Sequence, residues 1–100
     1  MITNYPDTWV IVEISNKNSS FRKILASWYG GYLGCDSWRL SSMIVSTEVN
    51  ENEYNFTTET SNYVCNKNSG GMNLIASGIL NDLIEKAKRN NFTVKVIDYA

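Results

Sequence analysis

The fifteen residues "WYGGYLGCDSWRLSS", positions 28 to 42, bring together two tryptophans, two tyrosines, three glycines, one Asp and one Arg. Trp28, Tyr29, Tyr32 and Trp38 offer flat rings on which a base or sugar can stack, and Gly30, Gly31 and Gly34 let the main chain approach a ligand closely or take up positive φ. Arg39 supplies a planar fork for phosphate or carboxylate. Asp36 can accept from a ribose hydroxyl or a base amine, and Ser37, Ser41 and Ser42 add small hydroxyl groups. These are the parts of a pocket for a small anionic, nucleotide-like ligand, and none of them requires catalysis. A second reading uses the same residues differently: the glycines make a wide hairpin loop, the aromatics are core and cross-strand pairs, and Asp36 with Arg39 is an ion pair closing the turn. Three glycines without G-x-G-x-x-G spacing or a following helix say little about phosphate.

The remaining residues narrow the chemistry further. The chain has no His, which removes the ordinary proton shuttle near neutral pH, the common zinc sets and the Cys-His nucleophile pair. Cys35 and Cys65 are expected to be free, structural thiols. With no two-carboxylate motif either, the expectation is a protein that is not an enzyme and uses no metal or cofactor. Gly70-Gly71 in "NKNSGGMN" reads either as a backbone anion nest or as the turn into a helix. Thirteen Asn residues concentrate in polar stretches such as "SNKNSS" and "NKNSGG", where Asn serves turns. Acidic residues from Glu48 to Glu59 read as a solvated face.

One hundred residues fit a single domain, 1 to 100, with one core. The 43% hydrophobic and 19% charged content is that of an ordinary globular chain, and a net charge of −1 gives no basic excess for wrapping duplex nucleic acid. No apolar run reaches the roughly 18 residues of a membrane span, and "MITNYPDTWV" lacks a basic start and an apolar signal core. The expected location is the cytoplasm.

The elements that must position the 28 to 42 segment follow from periodicity. "TWVIVEIS" is a β-branched run with Trp9 and Ile11 facing one way and Val10, Val12 and Ile14 the other. With "NKNSS" as a turn, "FRKILASWY" becomes its partner, so residues 8 to 29 form a hairpin. "WRLSSMIVSTEV", "EYNFTTET" and "NYVCNK" continue an antiparallel meander. From Ile75, the spacing of Ile79, Leu80, Leu83, Ile84 and Ala87 predicts one amphipathic helix over 72 to 90, with Ser77 an alternative cap for a shorter one. "FTVKVIDY" returns as a strand. The expected fold is therefore α+β: a mainly antiparallel, twisted sheet of about five to six strands with one helix, in the C-terminal half, packed on one face. One helix leaves the second apolar face of the sheet uncovered, so the sheet either curls into a partial barrel or packs against another subunit. A homodimer or higher homo-oligomer is the expectation.

The segment Trp28, Gly31, Tyr32, Leu33, Asp36, Ser37, Trp38, Arg39 and Ser42 resembles a W-x-x-G-Y-L-x-x-D-S-W-R-x-x-S pattern in small tailed-bacteriophage proteins of unknown function. The likeness extends to "YPDTWVIVEI", to Cys65 and to "GM" before the C-terminal helix. It implies a short accessory protein working inside a bacterial cell. Such proteins often counter host defence, either by sequestering a nucleotide-derived immune signal or by capping a defence enzyme or nuclease.

Overall fold

The computed structural model describes residues 2–30 and 34–97. In chain order the elements are β1 Ile2–Asn4, β2 Thr8–Ser15, β3 Ser20–Trp28, β4 Ser37–Leu40, β5 Ile44–Val49, β6 Glu53–Thr58, β7 Ser61–Asn66, a 3-10 turn Lys67–Ser69, α1 Leu74–Arg89 and β8 Thr93–Ile97.

The expected hairpin forms, with β2 and β3 paired antiparallel from Thr8 opposite Ser27 to Ser15 opposite Ser20. Its turn is made by Asn16, whose Oδ1 accepts from the amides of Asn18 and Ser19 at 2.8 and 2.9 Å. That is the local bonding that makes Asn a turn residue. Because β2 is apolar on both faces, it has to lie in the middle of the molecule. Trp9 and Ile11 enter one core with Ile24, Ala26, Phe56, Tyr63 and Cys65, while Val12 enters another with Leu25, Ala76 and Leu80.

The strands build an α+β fold, divided into two sheets rather than one: β1-β7-β6-β5 and β4-β3-β2-β8. All strand pairs are antiparallel except β1 with β7. Helix α1 covers one face of β4-β3-β2-β8, and the second sheet covers the other, giving three layers. The apolar face that suggested a second subunit is thus covered by Phe56, Tyr63 and Cys65 of the same chain.

The division occurs inside the segment that reads as one strand. Ser41 accepts from the Ile24 amide through Oγ at 2.8 Å, donates its own amide to the Ile24 carbonyl at 2.9 Å, and donates its hydroxyl to the Ser42 carbonyl. A side chain in place of a ladder partner ends the pairing with β3. The chain then crosses to the other sheet, so β4 and β5 belong to different layers. A register shift between Ile44 and Ser46 follows the crossing.

Helix α1 begins two residues later than its periodicity suggests. Asn73, not Ser77, is the N-cap, its side chain accepting from the Ala76 amide at 2.8 Å. Ala76 takes a fully buried position, whereas Ile75 is 40% exposed. At the other end Asn91 has φ 62°, the left-handed stop to which Asn is suited, and Phe92 donates to the Ala87 carbonyl at 2.8 Å. β8 then pairs with β2. Among the described residues, no helix is long and apolar enough to cross a membrane.

Candidate functional site

The 28 to 42 segment forms the β3–β4 connection and the edge strand of one sheet. Trp28 ends β3 opposite Ser37, Ser27 faces Trp38, and Ala26 faces Arg39. Directly opposed residues share a face and successive residues alternate. Trp28, Ser37 and Arg39 therefore lie on the side toward the second sheet, and Trp28 packs against that core. Trp38 lies on the α1 side, next to Ser27, whose hydroxyl is hydrogen-bonded to that of Thr8. Trp38 and Arg39 are neighbours in sequence and stand on opposite faces of the sheet.

Two carboxylates hold the ends of the connection. Asp7 Oδ2 accepts from the Tyr29 amide at 2.8 Å, and Asp36 Oδ1 accepts from the Gly30 amide at 3.0 Å. Trp28 Nε1 donates to the Tyr5 carbonyl at 3.0 Å, so the "YPD" turn before β2 braces the loop from below. Tyr5 and Asp7 were not among the residues the sequence singles out. Their signal is a Pro-Asp turn directly ahead of a strand, which marks a turn without revealing what it touches.

Gly30 and Gly34 have a steric requirement. A Cβ on Gly30 would fall inside the main chain of Cys35, and one on Gly34 would collide with the carbonyl of Gly30. The main chain crosses itself too closely here for any side chain, which is the use of glycine at a close approach. Gly31, Tyr32 and Leu33, of which Gly31 and Tyr32 are candidate ligand contacts, lie outside the described residues.

No ion pair joins Asp36 to Arg39 among the described residues. Asp36 instead serves the Gly30 amide. Ser42 Oγ is hydrogen-bonded to Thr60 Oγ1 at 3.0 Å, tying the β4–β5 crossing to the β6–β7 turn, so its hydroxyl is engaged in the scaffold. Tyr29 is 59% and Trp38 42% exposed, and Arg39 is exposed as well. The arrangement is a solvent-facing sheet edge that carries two aromatic rings and a cation, held at its base by Asp7 and Asp36.

Cys35 is exposed on this loop, whereas Cys65 is buried in the core between the sheets, where desolvation pushes its thiol up to about 12. Among the described residues no group of three His, Cys, Asp or Glu side chains is placed to hold a metal ion. Compared with known protein families, curated proteins and solved structures, the chain finds no match.

Proposed function

We propose that this chain is a non-catalytic phage accessory protein that acts by binding, and that β4 with the adjoining Tyr29, Cys35 and Asp36 is its recognition edge. The sequence pattern is compatible with two kinds of target, a small anionic, nucleotide-derived signal or a host defence protein. The opposite facing of Trp38 and Arg39 favours the protein. A pocket for one small ligand needs its stacking ring and its anion clamp to converge; here the exposed ring of Trp38 diverges from Arg39 across the thickness of the sheet, and Trp28, on the Arg39 side, is packed against the core. A protein partner can straddle the edge, pairing with the outer side of β4 while packing on Trp38 from one face and meeting Arg39 from the other. The resulting activity is inhibition by occlusion of a defence enzyme or nuclease in the bacterial cytoplasm.

The test is native mass spectrometry of the protein isolated from a bacterial host, wild type beside Trp38→Ser and Arg39→Ala. Retention of one host protein at fixed stoichiometry, lost in both variants, supports occlusion. A nucleotide mass released on denaturation, and absent from the Arg39→Ala sample, would replace occlusion by sequestration of a signal.

A further inference from the structure

The charge of the protein is nearly balanced overall but strongly polarised in space. All but two of its nine basic residues lie at one end of the sheet β4-β3-β2-β8. Lys17 sits in the β2–β3 turn, with Arg22 and Lys23 on the adjoining start of β3. Lys86, Lys88 and Arg89 form the last turn of α1, and Lys95 stands on β8 beside Glu13. Among the described residues, three carboxylates share this region. Glu13 is spanned by Arg22 at 3.1 Å and Lys95 at 3.7 Å, Glu85 lies 3.9 Å from Lys88, and Asp82 is one turn before Lys86. Seven cations against three anions leave an excess of four among the described residues of this region. The acidic residues Glu48, Glu51, Glu53 and Glu59 belong to the other sheet and its turns.

Helix-dipole compensation accounts for the cations of the last helical turn. It does not account for Lys17, Arg22, Lys23 and Lys95, which come from three other parts of the chain. At this pole an apolar groove of about 370 Å³ lies between the end of α1 and the sheet, while Arg22 and Lys95, paired opposite Glu13, stand on the other face of the sheet. Its floor is Ile14, Phe21, Leu83, Ala87 and Phe92, and Lys86 stands at its rim. Lys23 lies on the same face as Phe21, its ammonium 5.9 Å from the ring centroid, so a second cation borders the groove from the strand side.

We infer that this groove is a second binding site, for an acidic peptide segment that carries an apolar anchor. An apolar floor takes the anchor, and a rim of lysines takes carboxylates on either side of it. Charge complementarity selects the acidic segment over a neutral one, because Lys86 at the rim and Lys23 beside Phe21 attract and orient it before contact. The site is independent of the β4 edge. Phe21 and Trp28 stand at opposite ends of β3, roughly 23 Å apart at the rise of a strand, so both surfaces can be occupied at once.

The experiment is titration of the full chain with a fluorescein-labelled peptide in which glutamates flank a leucine–phenylalanine pair, read by anisotropy and by amide shifts in isotope-labelled protein. Saturable binding is expected, with shifts at Phe21, Leu83, Ala87 and Phe92. Binding should fall at least about tenfold when the apolar pair is replaced by serines, when the glutamates are replaced by lysines, or in Lys23→Gln/Lys86→Gln. Circular dichroism of that variant, which changes the exposed Lys86 and the half-buried Lys23, confirms that its fold is retained. The assignment is overturned if the serine peptide binds as well, if the shifts fall elsewhere, or if no binding saturates. Tighter binding of a single-stranded oligonucleotide at the same residues would also overturn it, as would a self-association abolished by the lysine variant.

Discussion

The indole Nε1 of Trp9 donates to the main-chain carbonyl of Asn66 at 2.8 Å, joining β2 of one sheet to the end of β7 in the other. The ring is 4% exposed and meets Tyr54 edge-on at 5.7 Å and Phe56 at 5.6 Å. One residue thus combines the packing and the directional contact that fix how the layers stack. Trp9→Phe keeps most of the packing but strands the Asn66 carbonyl, and a loss of about 1–3 kcal/mol in urea unfolding is expected. Trp9→Ala should cost about 3–5 kcal/mol. Equal stability of Trp9→Phe and wild type would show that the inter-sheet hydrogen bond contributes nothing.

Gly30 and Gly78 are expected to respond to alanine in opposite directions. At Gly30 the new methyl would meet the Cys35 main chain, so the connection must rearrange, at a cost of about 1–3 kcal/mol if the loop stays closed. Gly78 is exposed inside α1, with nothing within 4 Å of an added Cβ. Gly78→Ala should stabilise by roughly 0.5–1 kcal/mol. Thermal unfolding of the two variants checks both signs.

Asn73 caps α1 through its side-chain oxygen. Asn73→Ala removes that acceptor and should cost about 1 kcal/mol, whereas Asn73→Asp or Asn73→Ser keeps an oxygen and should cost less. Denaturant midpoints for the three variants, at unchanged slope, give the comparison. An alanine variant as stable as wild type would place the helix start elsewhere.

The two thiols should separate cleanly by accessibility, and the buried one should shape how stability depends on pH. Burial raises Cys65 from the 9.0 of an ordinary thiol to about 12 in the folded protein. The unfolded chain therefore releases this proton first, and its ionisation favours unfolding once the pH exceeds 9.0. The contribution is fully present below pH 9.0 and is lost as the pH rises toward 12. Cys65→Ala should flatten that part of the stability profile. With an aromatic disulfide reagent near pH 8, one thiol, Cys35, should react at once and the second only on unfolding. Rapid modification of both in the native protein would contradict the burial of Cys65.

Arg39→Ala and Trp38→Ser act on exposed side chains of an edge strand. Both variants should unfold within about 0.5 kcal/mol of wild type, the range expected for surface changes. A much larger loss in either would assign that side chain to the scaffold and remove it from the recognition edge.

The β2–β3 hairpin was legible because alternation, a turn-forming Asn and two-sided β-branched burial all point to the same local geometry. Helix α1 was legible from its spacing, although its start was not: Asn73 and Ser77 are both good caps, and only the packed structure, with Ala76 in the core and its amide bonded to Asn73, chooses the first. β1 escaped notice because three residues are too few for any period to show. Of the candidate site, the position of the 28 to 42 segment at the end of a hairpin could be read directly. The bracing by Tyr5 and Asp7 could not, since those contacts join residues more than twenty positions apart.

By itself, the sequence determined the class of the fold, most of its strands, its one long helix and the absence of histidine chemistry, because each depends on residue type and near-neighbour spacing. Only the tertiary structure decided that the strands divide into two sheets at Ser41, that the chain covers its own second face, and that Trp38 and Arg39 diverge. It also brought Lys23 and Lys86, distant in sequence, to an apolar groove at one pole of the molecule. These are consequences of which strand lies beside which and which face is buried, and long-range packing sets them where local periodicity carries no information.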